Sequence, residues 1–270
     1  MRRLLPAALL LCAATACGDK SGEDDTGAPE DADTDGVDTD ADGDTDGDTD
    51  GGGAATPEGE VSFETSDGVT LVGDWYPAST GARPAVLLLH MIPPSWDRSS
   101  WPTSFIDALR AEDWSVLVVD RRGAGDSGGT ARDAYEGPGG ELDVAASVAF
   151  LGGEGATGLA IVGASNGTTS MVDFVVGTGD GGALVPSALV FMTGGTYTEN
   201  QHEMADVAAV GVPAQFTFST EERAWSVAQE PLDPGGWRFD EYAAGDHGTK
   251  MFEAEPSVSE DIVGFLSGHL

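Results

Sequence analysis

Leu159-Ala160-Ile161-Val162-Gly163-Ala164-Ser165-Asn166-Gly167 decides how the rest of this chain is read. Four apolar residues run without a break into a glycine, as a strand buried on both faces does. The stretch 168–176 carries Met171, Val172, Phe174 and Val175, which suit a buried helix despite their β-branched members. A serine on a sharp strand-to-helix turn needs small residues two positions before and after it, because larger side chains clash in the bend. Gly163 and Gly167 meet that need. Such a turn exposes the Ser165 hydroxyl and aims the Asn166 amide, at the helix start, toward negative charge growing on a nearby oxygen.

Outward from this turn the chain alternates in type. Segments 61–65 and 70–76 read as strands joined at Asp67-Gly68, a hairpin turn pair. Further strands are predicted at 85–89, 115–120, 188–192, 214–218 and 237–243, and helices at 101–111, 142–151 and 256–270. Strands alternating with helices at this spacing predict an α/β fold with a mostly parallel central sheet and helices on both faces. Residues 58–270 are enough for one substantial core.

The pattern G-x-S-x-G occurs a second time, at Gly125-Asp126-Ser127-Gly128-Gly129. In a chain with 39 glycines the pattern alone decides nothing, so context must. Gly-Asp-Ser-Gly-Gly resembles the nucleophile segment of trypsin-like proteases, but that family is all-β and usually stapled by disulfides. Here the surroundings are alternating strands and helices, so Ser127 reads as part of a loop after the 115–120 strand.

Four segments in order resemble the α/β-hydrolase family. Leu87-Leu88-Leu89-His90 is similar to the strand leading to its oxyanion loop, and Asp120-Arg121-Arg122-Gly123-Ala124-Gly125-Asp126-Ser127 to its D-x-R-G-x-G-x-S segment. Ser165 stands on its nucleophile elbow, and Asp246-His247-Gly248 resembles its C-terminal histidine loop. The resemblance covers nearly all of 58–270 and is nearest to the small, lidless esterases similar to dienelactone hydrolases. It implies an α/β-hydrolase fold and Ser165 as nucleophile.

The general base is chosen among His90, His202, His247 and His269. His269 adjoins the C-terminus and is expected to fray; His202 lies in a polar stretch; His90 ends a buried strand. His247 follows a strand and precedes the last helix, where a base must come to meet the elbow. The acid should follow the 214–218 strand, where Ser219-Thr220-Glu221-Glu222-Arg223 stands in place of the family's usual aspartate. The family pattern favours Glu222, with Glu221 next; either could instead be a helix first-turn charge. Where the family commonly has His-Gly, this chain has His90-Met91-Ile92-Pro93. Pro93 has no N–H, so Ile92 joins Asn166 as the expected oxyanion donor, with the Met91 amide as the alternative and its side chain narrowing the loop and lining the acyl pocket.

The N-terminal quarter is different material. Arg2 and Arg3, the apolar run 4–11 and Ala13-Ala14-Thr15-Ala16 read as an export signal over 1–16. Ala14-Thr15-Ala16-Cys17 resembles the lipobox of bacterial lipoproteins, which implies a lipid on Cys17, a membrane as partner and a place in the bacterial cell envelope. Removal of the signal takes Cys12 with it and leaves Cys17 alone, so no intramolecular disulfide is expected. Residues 17–57 are rich in Asp, Thr, Gly and Ala without an aromatic, which predicts an extended, disordered tether. Its Asp31–Gly36 and Asp38–Gly43 stretches echo the start of a calcium loop, but the twelfth positions hold Asp42 and Thr49 instead of glutamate. Weak Ca²⁺ binding is the most such a segment offers.

Fifteen carboxylates against Lys20 give the tether −14, and the two signal arginines give +2, so 58–270 carries −23 of the chain's −35. That charge makes nucleic acid and anionic lipid surfaces poor partners. The expectation is therefore a serine hydrolase acting on a small neutral or cationic ester through an acyl-enzyme, needing neither metal nor organic cofactor. The competing expectation is a catalytically silent surface protein that uses the same fold for binding, motivated by the unusual acid and oxyanion loop.

Overall fold

A computed structural model describes residues 56–177, 184–198 and 200–270. The export signal, Cys17 and the acidic tether up to residue 55, with its calcium-loop echoes, lie outside the described residues. Eight strands form one sheet: β1 (Gly59–Glu64), β2 (Thr70–Tyr76), β3 (Ala85–Leu89), β4 (Ser115–Val119), β5 (Leu159–Ala164), β6 (Pro186–Met192), β7 (Ala214–Ser219) and β8 (Trp237–Tyr242). Their order across the sheet is β1-β2-β4-β3-β5-β6-β7-β8. The first two pairings are antiparallel and all those from β4 to β8 are parallel.

Helices α1 (Thr103–Ala111), α2 (Asp133–Glu136), α3 (Gly139–Gly153), α4 (Gly167–Gly177), α5 (Met204–Val210), α6 (Arg223–Val227), α7 (Met251–Ala254) and α8 (Ser257–Ser267) are the α-helices among the described residues. Alternation within each strand sends side chains to two separate cores. Leu87 and Leu89 of β3 and Leu117 and Val119 of β4 pack with Val144, Val148 and Met171 of α3 and α4. Val86, Leu88, Val116 and Val118 pack on the other face with Phe105, Leu109, Ile262 and Leu266 of α1 and α8. Both faces are covered, which is why β3, β4 and β5 read as unbroken apolar runs instead of alternating ones. Among the described residues no helix is long and apolar enough to cross a membrane.

The predicted strands and long helices are present, with ends shifted by a few residues. Helices α2, α5, α6 and α7 are additions: each has seven residues or fewer, too short for a helical period to show. Helix α5 nevertheless carries end signals, for the Asp206 carboxylate accepts the Glu203 amide at 3.3 Å and Gly211 closes the helix at φ +79°. His269 is held more firmly than expected, its ring 4.7 Å from that of Phe265 and its amide bonded to the Leu266 carbonyl.

The chain order positions the site. From β3 the chain moves to β4 on one side, then returns to β5 on the other. At such a reversal the loops leaving the two strands diverge and open a crevice beyond their carboxyl ends. His90, Met91 and Ile92 leave β3 there, and Ser165 leaves β5 beside them.

Candidate active site

Ser165 is a non-glycine residue at φ +49°, a conformation that costs about 1–3 kcal/mol and persists only where the surroundings over-determine it. They do so here. The Ser165 amide donates to the Met192 carbonyl at 2.9 Å, and the Ser165 carbonyl accepts from the Thr168 amide and hydroxyl at 2.9 and 2.7 Å. Both glycines are required by contact. A Cβ on Gly163 would stand 3.0 Å from the Thr168 backbone, and one on Gly167 would stand 2.5 Å from the Leu89 carbonyl oxygen. The second distance also shows how tightly the elbow presses against the end of β3.

His247 follows β8 and presents both ring nitrogens to partners far away in sequence. Nε2 lies 2.5 Å from Ser165 Oγ, and Nδ1 lies 2.5 Å from Glu222 Oε2. A carboxylate only accepts, so in the neutral ring Nδ1 carries the proton and Nε2 is left to accept from the serine hydroxyl. Glu222 reaches the ring from the turn between β7 and α6, its amide bonded to the Ser219 carbonyl at 3.0 Å. The structure thus brings Ser165, His247 and Glu222 together, while Glu221 is exposed and outside the group. About a third of the His247 and Glu222 side chains remains open to solvent.

The other histidines are placed elsewhere. His90 is fully buried; its Nε2 accepts the Arg121 amide at 2.9 Å, so Nδ1 bears the proton and donates to the Met91 carbonyl at 2.7 Å. Burial, helped by the Arg121 charge, pushes its pKa down to about 3, and the ring stays neutral. His202 is exposed, at the mouth of a side cavity. Ser127 lies in the loop after β4, donating to the Asp120 carbonyl at 2.6 Å and accepting the Val72 amide at 2.8 Å. It therefore braces a loop, as the strand context indicated.

The two expected oxyanion donors stand at the ends of adjacent strands. Among the described residues neither the Asn166 nor the Ile92 amide donates to another group. Their loops are tied together by Arg121, which is wholly buried. Its guanidinium donates to Asn166 Oδ1 at 2.9 Å, Ser170 Oγ at 2.7 Å and the Ala134 carbonyl at 3.0 Å, with longer contacts to the His90 and Met91 carbonyls. Burial lowers its pKa to about 10, so it remains charged at neutral pH. Met91 departs from expectation. Its side chain is buried, with sulfur where a Cβ on Gly248 would fall, so it supports the histidine loop instead of lining an acyl pocket.

The loop after β6 was not foreseen as part of the site. Thr193 sits at φ +46°, rare for a β-branched residue, and is buried. Its Oγ1 accepts the Gly248 amide at 2.8 Å, next to His247, and its carbonyl accepts the Tyr197 hydroxyl, also at 2.8 Å. The exposed Tyr197 ring meets the His247 ring edge-on at 6.4 Å. Tyr197 also walls a cavity of about 610 Å³ whose lining includes Tyr135, Glu136, Glu141, Asp173 and His202. Burial raises the pKa of Glu141, with the Asp173 charge adding to it, and burial raises that of Asp173 against the hydrogen bond from the His202 amide. Among the described residues no group of three or more His, Cys, Asp or Glu side chains is arranged to hold a metal.

No family model matches this chain, and no curated protein matches it. Solved structures do. The esterase Pf2001 of Pyrococcus furiosus superposes with a TM-score of 0.62 at 17% identity, over 79% of this chain and 91% of that one. An Agrobacterium tumefaciens protein of unknown function classed with the α/β-hydrolases gives 0.60 at 14%, over 77% and 94%. The chain has the α/β-hydrolase fold. Est1E of Butyrivibrio proteoclasticus, solved with ferulic acid bound, shares it with a TM-score of 0.62 at 14% identity, over 77% of this chain and 98% of that one. Within the α/β-hydrolase fold, the reversal of strand order at β3 accounts for the elbow, the β3 loop and the histidine loop meeting at one end of the sheet.

Proposed function

We propose that the protein is a serine hydrolase that cleaves carboxylic esters or closely related acyl bonds through an acyl-enzyme. The observation that carries this reading is the continuous chain from Glu222 through His247 to Ser165, with 2.5 Å at each link. His247 Nε2 takes the Ser165 proton as Oγ attacks the carbonyl carbon, and Glu222 steadies the imidazolium that forms. The Asn166 and Ile92 amides receive the developing oxyanion. The leaving alcohol takes the proton back from His247, and a water molecule repeats the sequence on the acyl-enzyme. Esterases among the structures of the same fold support the ester bond as target.

The close contact between Glu222 and the imidazole also argues against a silent binding protein, since the unusual acid is one of the two motives for that alternative. The substrate is expected to be small and neutral or cationic: the site is open, and the neighbouring cavity bears Glu136, Glu141 and Asp173. The stretch from Gly194 to Val212 contributes a loop and the two-turn helix α5 among its described residues, in keeping with a lidless esterase. A fluorophosphonate probe tests the reading directly. Labelling of the folded protein that disappears in Ser165→Ala is expected; an unlabelled wild-type protein would sink it. A panel of p-nitrophenyl esters of graded chain length then defines the acyl group.

We further propose that the enzyme is exported and held at the bacterial cell envelope by a lipid on Cys17, with the acidic segment as spacer. Metabolic labelling with an alkyne fatty acid should mark the wild-type protein and leave Cys17→Ala unmarked.

A further inference from the structure

Arg121 is wholly buried, and no step of ester cleavage uses its charge. Every partner of its guanidinium is neutral: Asn166 Oδ1 at 2.9 Å, Ser170 Oγ at 2.7 Å, the Ala134 carbonyl at 3.0 Å, and the His90 and Met91 carbonyls at 3.4 and 3.5 Å. Among the described residues no carboxylate forms an ion pair with it. Asp143, whose charge it feels, gives one oxygen to the Arg122 amide at 2.9 Å and the other to Arg122 Nε at 2.8 Å. Nε of Arg121 is buried without a partner among the described residues. A charge taken out of water with no carboxylate at its side destabilises a fold, so this one calls for an explanation beyond packing.

Its contacts run to both expected oxyanion donors. The Ile92 N–H belongs to the same peptide unit as the Met91 carbonyl. That carbonyl accepts from His90 Nδ1 at 2.7 Å as well as from Arg121. Donors at a peptide oxygen draw electron density from its nitrogen and make the N–H a stronger donor. Asn166 is gripped by its side chain: a guanidinium only donates, so the amide oxygen turns toward Arg121 just before α4 begins. Ser170, one turn along the same helix, is bound by the other terminal nitrogen. The Arg121 amide donates to His90 Nε2 at 2.9 Å, which joins the charge and both loops in one unit.

Resting on the serine hydrolase reading, we propose that Arg121 is a positioning residue whose unpaired charge acts through the Asn166 and Met91–Ile92 groups to stabilise the tetrahedral oxyanion from behind.

The charge is needed only for part of the cycle. As Ser165 Oγ bonds to the carbonyl carbon, its proton passes to His247 Nε2 and the π pair of the C=O bond becomes a negative charge on oxygen. When that pair re-forms C=O, the bond to the alcohol oxygen breaks and this oxygen takes the Nε2 proton. The bound ester carries no such charge. A fixed cation in a water-excluded interior therefore favours the tetrahedral state over the ester, and it needs no reorganisation to do so.

Arg121→Gln removes the charge, and Arg121→Lys keeps it with fewer hydrogen bonds. With p-nitrophenyl acetate the Gln variant should lose about ten- to a hundredfold in kcat with KM within about threefold, and the Lys variant should keep most of the rate. An alkyl trifluoromethyl ketone, which Ser165 Oγ converts to a hemiketal oxyanion, gives a readout that mere support of the loops would not move selectively. Its Ki should rise in step with the loss of kcat in the Gln variant, while that of the methyl ketone of the same chain length stays within about twofold. Wild-type rates in a folded Arg121→Gln variant overturn the proposal, and so do equal losses in the Gln and Lys variants. Should the Arg121 variants unfold, Ser170→Asp leaves the arginine in place and sets a carboxylate against it. A fall in kcat then supports the role of the charge, and an unchanged kcat overturns it. In all these failures a wild-type protein labelled by fluorophosphonate leaves the hydrolase reading standing; one that is neither labelled nor active overturns both.

Discussion

Glu222 and Glu221 are neighbours of the same chemistry, yet only one touches the imidazole. The pair gives a sharp test at the residue scale. Glu222→Gln should lower kcat by about three to four orders of magnitude, as loss of the orienting carboxylate does by releasing the wrong tautomer, while Glu221→Gln should stay within about twofold of wild type. Ester hydrolysis under saturating substrate measures both. His90 offers a different test, on stability. Its folded pKa of about 3 lies below the unfolded value near 6.5, so the unfolded chain binds the extra proton first as pH falls. Stability from keeping this ring neutral is complete above the unfolded pKa and declines as pH drops toward the folded one. Glu141, Asp173 and Asp143 have raised pKa values and work in the opposite sense, so the comparison must be differential. Between pH 7 and pH 5 the wild-type protein should lose about 2 kcal/mol relative to His90→Gln in urea unfolding.

At the scale of elements, the elbow depends on how closely β5, α4 and the end of β3 approach one another. A Cβ on Gly167 would meet two backbone carbonyls, at 2.5 Å from Leu89 and 2.7 Å from His90, neither of which can swing aside as a flexible side chain would. Gly167→Ala should therefore cost about 1–3 kcal/mol of stability, the usual range for overpacking, and reduce activity further by moving Ser165 and the β3 loop apart. Thermal unfolding and kcat on the same preparation separate these effects. Gly152→Ala in α3, where a Cβ meets nothing within 4 Å, is the control and should be neutral or slightly stabilising. The buried Arg121 acts at the same scale. It joins the β3 loop, the elbow, α4 and α2 through one guanidinium, so the two oxyanion donors move as a unit. Buried arginine is tolerable here because its two terminal nitrogens meet carbonyl and hydroxyl acceptors, with Asp143 contributing attraction nearby.

For the whole molecule, charge is the property with the longest reach. Residues 58–270 carry −23, and three of those carboxylates, on Glu136, Glu141 and Asp173, line the cavity that Tyr197 walls. A cationic ester should therefore show kcat/KM falling severalfold from about 50 to 500 mM salt, while its neutral isostere changes little. Equal salt dependence for the two would refute steering. Composition made that charge legible without a structure, as hydrophobic runs made the α/β sheet legible: β3, β4 and β5 are buried on both faces, so their sequences are continuous and apolar. The elbow was legible too, because steric demand at Gly163 and Gly167 is local, and local demands leave marks in sequence. What needed tertiary structure was every pairing made at a distance. Glu222 meets His247 across 25 residues and Ser165 meets it across 82, and nothing in periodicity encodes which of two adjacent glutamates faces inward. Thr193 and Tyr197 stand on a loop with no periodic signal, and their place beside the His247 loop follows from the path of the chain past the end of β6. Sequence by itself determined the layers of the sheet and the turn that lifts Ser165, because burial and backbone sterics act on neighbours in the chain. The set of groups around that hydroxyl was decided only by the strand order, which brings the ends of β3, β5, β6, β7 and β8 to one edge of the sheet.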